Sequence, residues 1–454
     1  MAYCILKSYK LRIAPSAIFE ALKDEKNCFF LDSSLNSNDA LGRYSFLGIE
    51  PFYILETKNQ DPFLKLREHL AKYKIASRKK MPPFVGGAVG YLSYDLGFVL
   101  EKKIKHQEKT CLEIPDCFLG FYNSAIIFDH LKGLLYICAL GFPEKNSLAA
   151  KSLAESNFKK ISSLISNAAS QAKRQRHDIK SNRAKLNSSL SRQDYLLAVK
   201  KAKEYIRQGD IYQVNLSQQF HAKTGLSAFQ IYRRLRSISP AYFSAYFDCG
   251  DFQILSSSPE RFLRLESDLV ITRPMKGTRP RAKSQRQDQR LQRELLESTK
   301  DKAELVMIVD LERNDLGRVC DYGSVKVDCL RQLEKYSTVF QTTATVSGRL
   351  HEGRDRIDLL RASFPGGSIT GCPKIRAMEI IEELEPVRRS IYTGSLGYLS
   401  FSGELDFNIM IRTILKKKDN LYFGAGGGIV ADSEPEKEYE EALVKARAMI
   451  EAIS

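Results

Sequence analysis

The chain has 454 residues, of which 43% are apolar, 10% aromatic and 27% charged. That length and composition suit a globular protein of two or three domains whose core needs no disulfide or metal staple, and they exclude general disorder. The 70 basic residues outnumber the 54 acidic ones, for a net charge of +16. Such a charge suits a nucleic acid, a solvated basic surface, or recruitment of a small anionic substrate. No RNA- or DNA-binding module pattern is present, so no nucleic-acid partner is expected. No apolar run is long enough to span a bilayer, so no membrane partner is expected either. The start, Met1-Ala-Tyr-Cys-Ile-Leu-Lys7, lacks the layout of a signal peptide. The nine cysteines include no Cys-x-x-Cys pair, as expected of reduced thiols in a cytoplasmic protein.

Short apolar runs bounded by turn signals predict strands at 28–31, 85–92, 124–128 and 134–140. A helix over about 146–165 follows, then a polar, basic, aromatic-free stretch at 166–191 that reads as a linker or exposed loop. Residues 1–165 are thus expected to form an N-terminal region and 192–454 a catalytic region. Ser191-Arg-Gln-Asp194 fits a capping box. Tyr195, Val199, Ala202 and Ile206 then recur at helical spacing, and Gly209 ends the helix. Residues 211–220 predict a strand with Tyr212, Val214, Leu216 and Phe220 on one face and Gln213, Asn215 and Ser217 on the other. A polar face of this kind either meets solvent or lines a site. The rest mixes strands and helices without a βαβ rhythm, which favours an α+β fold with antiparallel sheets over a doubly wound sheet.

Several chemistries are missing. The six histidines, His69, His106, His130, His177, His221 and His351, are scattered, with no zinc spacing among them. Residues 366–371 have P-loop glycine spacing, but Cys-Pro-Lys follows in place of Lys-Ser/Thr. No Gly-x-Ser-x-Gly elbow and no glutaminase-type cysteine turn is found.

Other chemistry is present. Asp301 and Glu304, and likewise Glu438 and Glu441, lie three apart in helical segments, so each pair shares a helix face. Facing carboxylate pairs can hold a hard cation such as Mg²⁺, although such pairs are commonly just surface acids. The loop Ser363-Phe-Pro-Gly-Gly-Ser-Ile-Thr-Gly-Cys-Pro-Lys374 runs into a helix and suits a carboxylate. Gly424-Ala-Gly-Gly-Gly-Ile-Val430 continues a strand that lets a ligand approach the backbone. Arg412, expected on a strand just before it, could clamp a carboxylate. Lys276 sits in a dense basic segment whose charges disfavour its ammonium form, and a neutral lysine is a nucleophile. Glu260, just ahead of a strand, could stay protonated in a closed site and act as a general acid. Taken singly, each has a blander explanation: a turn, a solvated loop, or a salt bridge to Arg261.

Together these segments resemble the chorismate-utilising enzymes, a superfamily that includes anthranilate, aminodeoxychorismate, isochorismate and salicylate synthases. The matching stretches are Gly209-Asp-Ile-Tyr-Gln-Val-Asn-Leu-Ser217, Ser258-Pro-Glu-Arg261, Pro274-Met-Lys-Gly-Thr-Arg-Pro-Arg281, and residues 303–318, 364–378, 397–399, 411–413 and 425–441. Weaker similarity reaches Gly42-Arg-Tyr-Ser-Phe-Leu-Gly48. The resemblance implies an anthranilate synthase component I-like fold, with antiparallel sheets in a sandwich-like core and flanking helices. Isochorismate-forming members carry a water-activating lysine where Gln213 stands, so Gln213 implies ammonia as the nucleophile. Anthranilate-forming members read Pro-Ile-Ala-Gly-Thr where this chain reads Pro-Met-Lys276-Gly-Thr, so Lys276 points to the aminodeoxychorismate branch, which serves 4-aminobenzoate and folate biosynthesis.

The implied roles are as follows. Glu304 and Glu441 hold Mg²⁺, with Asp301 and Glu438 acting through water. Gly426, Gly428, Ser368 and Thr278 bind substrate, and Arg412 and Tyr392 take the enolpyruvyl carboxylate. Lys276 attacks C2, Glu260 protonates the departing hydroxyl, and Gln341, where many members have histidine, assists. Cys372 replaces a usual alanine. Ser239-Pro-Ala-Tyr-Phe243 departs from the pattern of tryptophan-inhibited members, so no tryptophan feedback is expected. Ammonia is expected from a separate glutamine amidotransferase, and an appended lyase is not expected. The competing readings are anthranilate formation, a basic nucleic-acid-binding protein, and a non-catalytic partner of an amidotransferase.

Overall fold

The computed structural model describes residues 3–35, 41–76, 81–104, 108–171, 185–337 and 339–454. The fold is α+β, with every pair of strands inside its two sheets antiparallel, as expected. One sheet runs in the order Cys4–Lys10, Leu134–Leu140, Ser124–Asp129, Tyr44–Gly48, Phe29–Asp32, Phe243–Asp248, Gln253–Ser258, Thr413–Lys417, Asn420–Ile429, Gln213–Lys223, Gly371–Cys372. The other joins Met275–Pro280, Val339–Arg349, Leu269–Arg273, Arg261–Glu266, Leu405–Asn408, Ser395–Ser400, Gly87–Leu92, Cys117–Tyr122 and Tyr53–Thr57. Strands from both sides of residues 166–191 meet within each sheet. Phe30 pairs with Tyr246 in the first, and Val89 with Tyr398 in the second.

The main core lies between the sheets, where Phe29, Val214, Leu216 and Ile254 of one meet Ala88, Tyr91 and Leu263 of the other. A second core covers the outer face of the first sheet. Phe19, Ile161, Ile231, Leu235, Ala446 and Met449 of four helices pack there on Phe30, Phe220 and Leu255. No helix among the described residues is long and apolar enough to cross a membrane.

Local details depart from the expectations. The strand predicted at 28–31 is Phe29–Asp32, and the one at 85–92 begins at Gly87. The helix predicted to stop near 165 runs Ser147–Gln171, into the presumed linker. Residues 172–184, with His177, and also His106, lie outside the described residues. Beyond them, Asn187–Ser188 pairs with the Gln213 strand. Ser191 caps the helix Arg192–Arg207 by accepting the Asp194 N–H at 3.1 Å, and its hydroxyl donates to the Asp194 carboxylate at 2.7 Å. Tyr195, Val199 and Ala202 are buried as the spacing required.

Candidate active site

The site is built on the strand pair Gln213–Lys223 and Asn420–Ile429, in which Asn215 faces Gly428 and Ser217 faces Gly426. The polar face of the first strand is not solvated. Gln213 is 0% exposed, while Tyr212, assigned to the apolar face, is 70% exposed. The strand starts at Gln213, so Tyr212 precedes it. Both polar atoms of the Gln213 amide are buried without a partner. The Gly428 position shows what lies beside it: a Cβ there would stand 2.9 Å from Gln213 Nε2 and 3.1 Å from Lys276 Nζ. The glycines differ in what they admit. A Cβ on Gly426 would meet the Leu216 carbonyl at 2.1 Å, whereas one on Gly427 would meet only side-chain ends at 3.4–3.7 Å. Gly426→Ala is therefore expected to cost about 3 kcal/mol, because backbone must move, and Gly427→Ala about 0.5 kcal/mol. Denaturant titration of both variants checks this.

Lys276 is on the strand Met275–Pro280, not on a free loop. Gly277, at φ +70°, forms a bulge against Gln341 and Thr342. A side chain there would strike Leu295 at 2.8 Å and Asp301 at 3.0 Å. Met275, Lys276, Gly277 and Thr278 consequently all line one cleft, with about 900 Å³ of atom-free space counting its open mouth. Lys276 Nζ donates to the Ser368 carbonyl at 3.3 Å. Burial pulls the lysine below its ordinary pKa and Lys445 adds to this, against the opposing pull of Glu304, Glu260 and Glu441. Glu260 is 4% exposed. Burial raises its carboxyl to about 7, against the Ser368 hydroxyl, the Lys276 charge and the Met275 N–H. Near neutrality it therefore exchanges a proton readily. Of the glycine-rich loop, only Ser368 and Ile369 reach the cleft. Lys374, at the head of the following helix, turns away to Asp315 at 2.6 Å.

At one end, Gln341 bridges two further residues. Its Nε2 donates to Thr278 Oγ1 at 3.3 Å and its Oε1 accepts from Arg412 Nη2 at 3.1 Å. Arg412 is not on a strand. It precedes Thr413–Lys417 at φ +51°, and its carbonyl accepts the Ser257 N–H at 3.0 Å. This left-handed backbone is a strained state that surrounding contacts must hold. The guanidinium lies 6.0 Å from the Tyr336 ring and has no carboxylate partner among the described residues. Burial lowers its pKa. A cation left this way suits an incoming anion. Tyr392 lines the same cleft, its phenol pushed up to about 12 by burial.

The four acids come together at the cleft from two helices. Ser298 caps Thr299–Gly317 by accepting the Asp301 N–H at 3.1 Å, and Pro435 opens Pro435–Ile453. Each carboxylate is matched by a cation. Arg279 is 3.1 Å from Asp301, Lys445 is 2.7 Å from Glu441, and Lys300 lies 3.2 Å from Glu438 and 3.9 Å from Glu304. Lys445 holds Glu441 below the usual range, while burial lifts Glu304. As the side chains stand, no three metal-ligand residues among the described ones gather closely enough to hold an ion. The all-oxygen donor set nevertheless fits a hard divalent cation, and the Lys300 ammonium already bridges one carboxylate from each helix.

Of the residues given catalytic, substrate-binding or metal-binding roles from the sequence, all but Gln213 line this cleft, and Gln213 stands beside Gly428. Sequence reasoning missed Lys300, Lys445 and Arg279. The first two carried a signal, since they stand four residues from Glu304 and Glu441 on the same helices. Asn215 shares the polar strand face with Gln213.

A cleft with a lysine beside a proton-exchanging carboxyl, an uncompensated guanidinium and a carboxylate quartet is that of an enzyme for a small anionic substrate. A model of the family described as chorismate binding enzyme matches residues 26–451. The chain is 38% identical to anthranilate synthase component 1 of Acetivibrio thermocellus, over 97% of this chain and 92% of that protein. It is 36% identical to aminodeoxychorismate synthase component 1 of Bacillus subtilis (strain 168), over 91% and 89% respectively. The crystal structure of anthranilate synthase component I from Streptococcus pneumoniae TIGR4 matches with a TM-score of 0.78 at 31% identity, covering 92% of this chain and 93% of that one. The chain belongs to the chorismate-binding enzyme family and is an enzyme that uses chorismate.

Proposed function

We propose that the chain converts chorismate and ammonia to 4-amino-4-deoxychorismate. The observation that carries this reading is Lys276, a lysine below its ordinary pKa at the Gly428 corner, beside the unpartnered amide of Gln213. In this reading Arg412 and Tyr392 take the enolpyruvyl carboxylate, with Gln341 steadying the guanidinium, and Thr278, Ser368, Gly426 and Gly428 shape the ring site. Neutral Lys276 Nζ attacks C2 while Glu260 gives its proton to the C4 hydroxyl, which leaves as water. Both ring double bonds shift toward C4, and Lys276 is held covalently at C2. Ammonia, received at the Gln213 amide, adds at C4, both double bonds return to their original places, and the lysine departs as the amine.

Glu304 and Glu441, with Asp301 and Glu438 through water, would hold Mg²⁺ in place of the Lys300 ammonium. When bound, the ion supplies neutralising charge at the ring carboxylate. The ammonia comes from a separate glutamine amidotransferase, in keeping with relatives named as component 1. The reading also places the enzyme in the cytoplasm, on cysteine usage, and without tryptophan feedback.

A second reading, formation of anthranilate and pyruvate, is favoured by the names of several relatives, including the one at 38% identity. Incubation of the purified chain with chorismate, Mg²⁺ and ammonium, with products identified by mass, separates the two. An aminated ring that keeps its enolpyruvyl group is expected. Anthranilate with released pyruvate would move the chain to the second reading.

A further inference from the structure

Arg389 does not line the cleft, yet it stands behind three of its walls. Its side chain is 2% exposed, and that of its ion-pair partner Glu385 is 4% exposed. Every N–H of the guanidinium has an acceptor. Nε donates to Glu385 Oε2 at 2.9 Å, and Nη2 to Glu385 Oε1 at 2.6 Å and the Asn215 carbonyl at 2.7 Å. Nη1 donates to the Ile369 carbonyl at 2.9 Å and Thr393 Oγ1 at 3.3 Å. Glu385 Oε1 also accepts the Ser217 N–H at 2.8 Å and its hydroxyl at 2.9 Å.

Asn215, Ile369 and Tyr392 line the cleft. Tyr392 is tied to the pair from two sides: its N–H donates to the Arg389 carbonyl at 3.0 Å, and its carbonyl accepts the Thr393 hydroxyl at 2.6 Å. Its ring lies 6.0 Å from the guanidinium, and a Cβ on Gly424 would stand 2.4 Å from it, so glycine is what lets ring and strand meet. Ser390 and Thr393, flanking this stretch, are both held at positive φ, +56° and +61°. A buried ion pair is weak as a source of stability, because desolvation offsets the attraction. What this one does supply is registry between a strand, a loop and a helix-end turn, through a planar fork that a lysine cannot reproduce.

We infer that Arg389 and Glu385 are positioning residues that set Tyr392, Asn215 and Ile369 against the substrate. The inference rests on the reading of the cleft as a chorismate site. The test is steady-state chorismate consumption, with Mg²⁺ and ammonium, by Arg389→Lys, Ser217→Ala, Tyr392→Phe and the Arg389→Lys/Tyr392→Phe double variant. Arg389→Lys is expected to raise KM about 10-fold or more with kcat within about 3-fold. Ser217→Ala, which removes one bond to Glu385, should raise KM about 3-fold. The double variant should raise KM by clearly less than the product of the two single effects, since part of the Arg389 effect passes through Tyr392. A purely structural role would lower the active fraction, and thus kcat, and leave KM in place. That outcome, or KM effects that simply multiply in the double variant, overturns the inference. If Arg389→Lys does not fold, Ser217→Ala decides, and an unmoved KM there overturns it. A wild-type chain that consumes no chorismate overturns the parent reading instead.

Discussion

Replacing Lys276 by alanine is expected to lower chorismate turnover about 10³-fold or more, equivalent to about 4 kcal/mol of barrier. The reason is chemical and local. The proposed reaction needs a neutral amine at the Gly428 corner, and burial favours that form by pulling the lysine below its ordinary pKa. Its attack divides a difficult displacement into two easier steps. Lys276→Arg should not restore activity, because a guanidinium keeps its proton. The arginine control also separates charge from nucleophilicity, since it keeps a cation near Glu304 and Glu260. Turnover is followed by loss of chorismate, and mass analysis of the trapped wild-type chain should show a gain of chorismate minus water. Full activity in Lys276→Ala, with anthranilate as product, would make the lysine a bystander and sink the aminodeoxychorismate reading.

Glu260→Gln carries the second large effect, a loss of about 10²–10³-fold in kcat/KM. Its sign with pH follows from the carboxyl's pKa of about 7. A general acid works while protonated, so wild-type kcat/KM should fall as pH rises through about 7. A bound anionic substrate disfavours the Glu260 carboxylate further. The alkaline limb of kcat should therefore lie at higher pH than that of kcat/KM. Glutamine cannot ionise, so the alkaline limb should vanish in Glu260→Gln. A pH–rate profile of both enzymes checks this, and an unchanged alkaline limb in the variant would remove Glu260 from the acid role.

Much of the site is legible in the amino-acid sequence, for reasons that are local. Acids three apart on a helix must share a face, which is how Asp301 with Glu304 and Glu438 with Glu441 can be paired wherever the two helices lie. Backbone chemistry marks the rest. Pro435 opens a helix, Ser191 caps one, and the glycines at 424 and 426–428 leave a strand bare. The strands Ser124–Asp129 and Leu134–Leu140 fall where apolar runs between turn signals put them.

What fails to show is everything that depends on which element covers another. The face of Gln213, Asn215 and Ser217 has the same pattern whether it meets water or protein, and only the packed chain buries it. Arg412 reads as a strand residue because its neighbours are strand formers. Its positive φ is imposed by the turn between Ile409 and Thr413, where the chain crosses from one sheet to the other. Lys300 bridges Glu438 across 138 residues, and Arg389 reaches Asn215 across 174. Periodicity reports only on neighbours within a turn or a pleat, so such partners leave no trace in it. By itself, the sequence determined the chain's elements, its glycine-bared strand, and the residue types of a chorismate site. Only the tertiary structure decided which charges compensate one another and which is left for the substrate, because compensation is a matter of distance and burial.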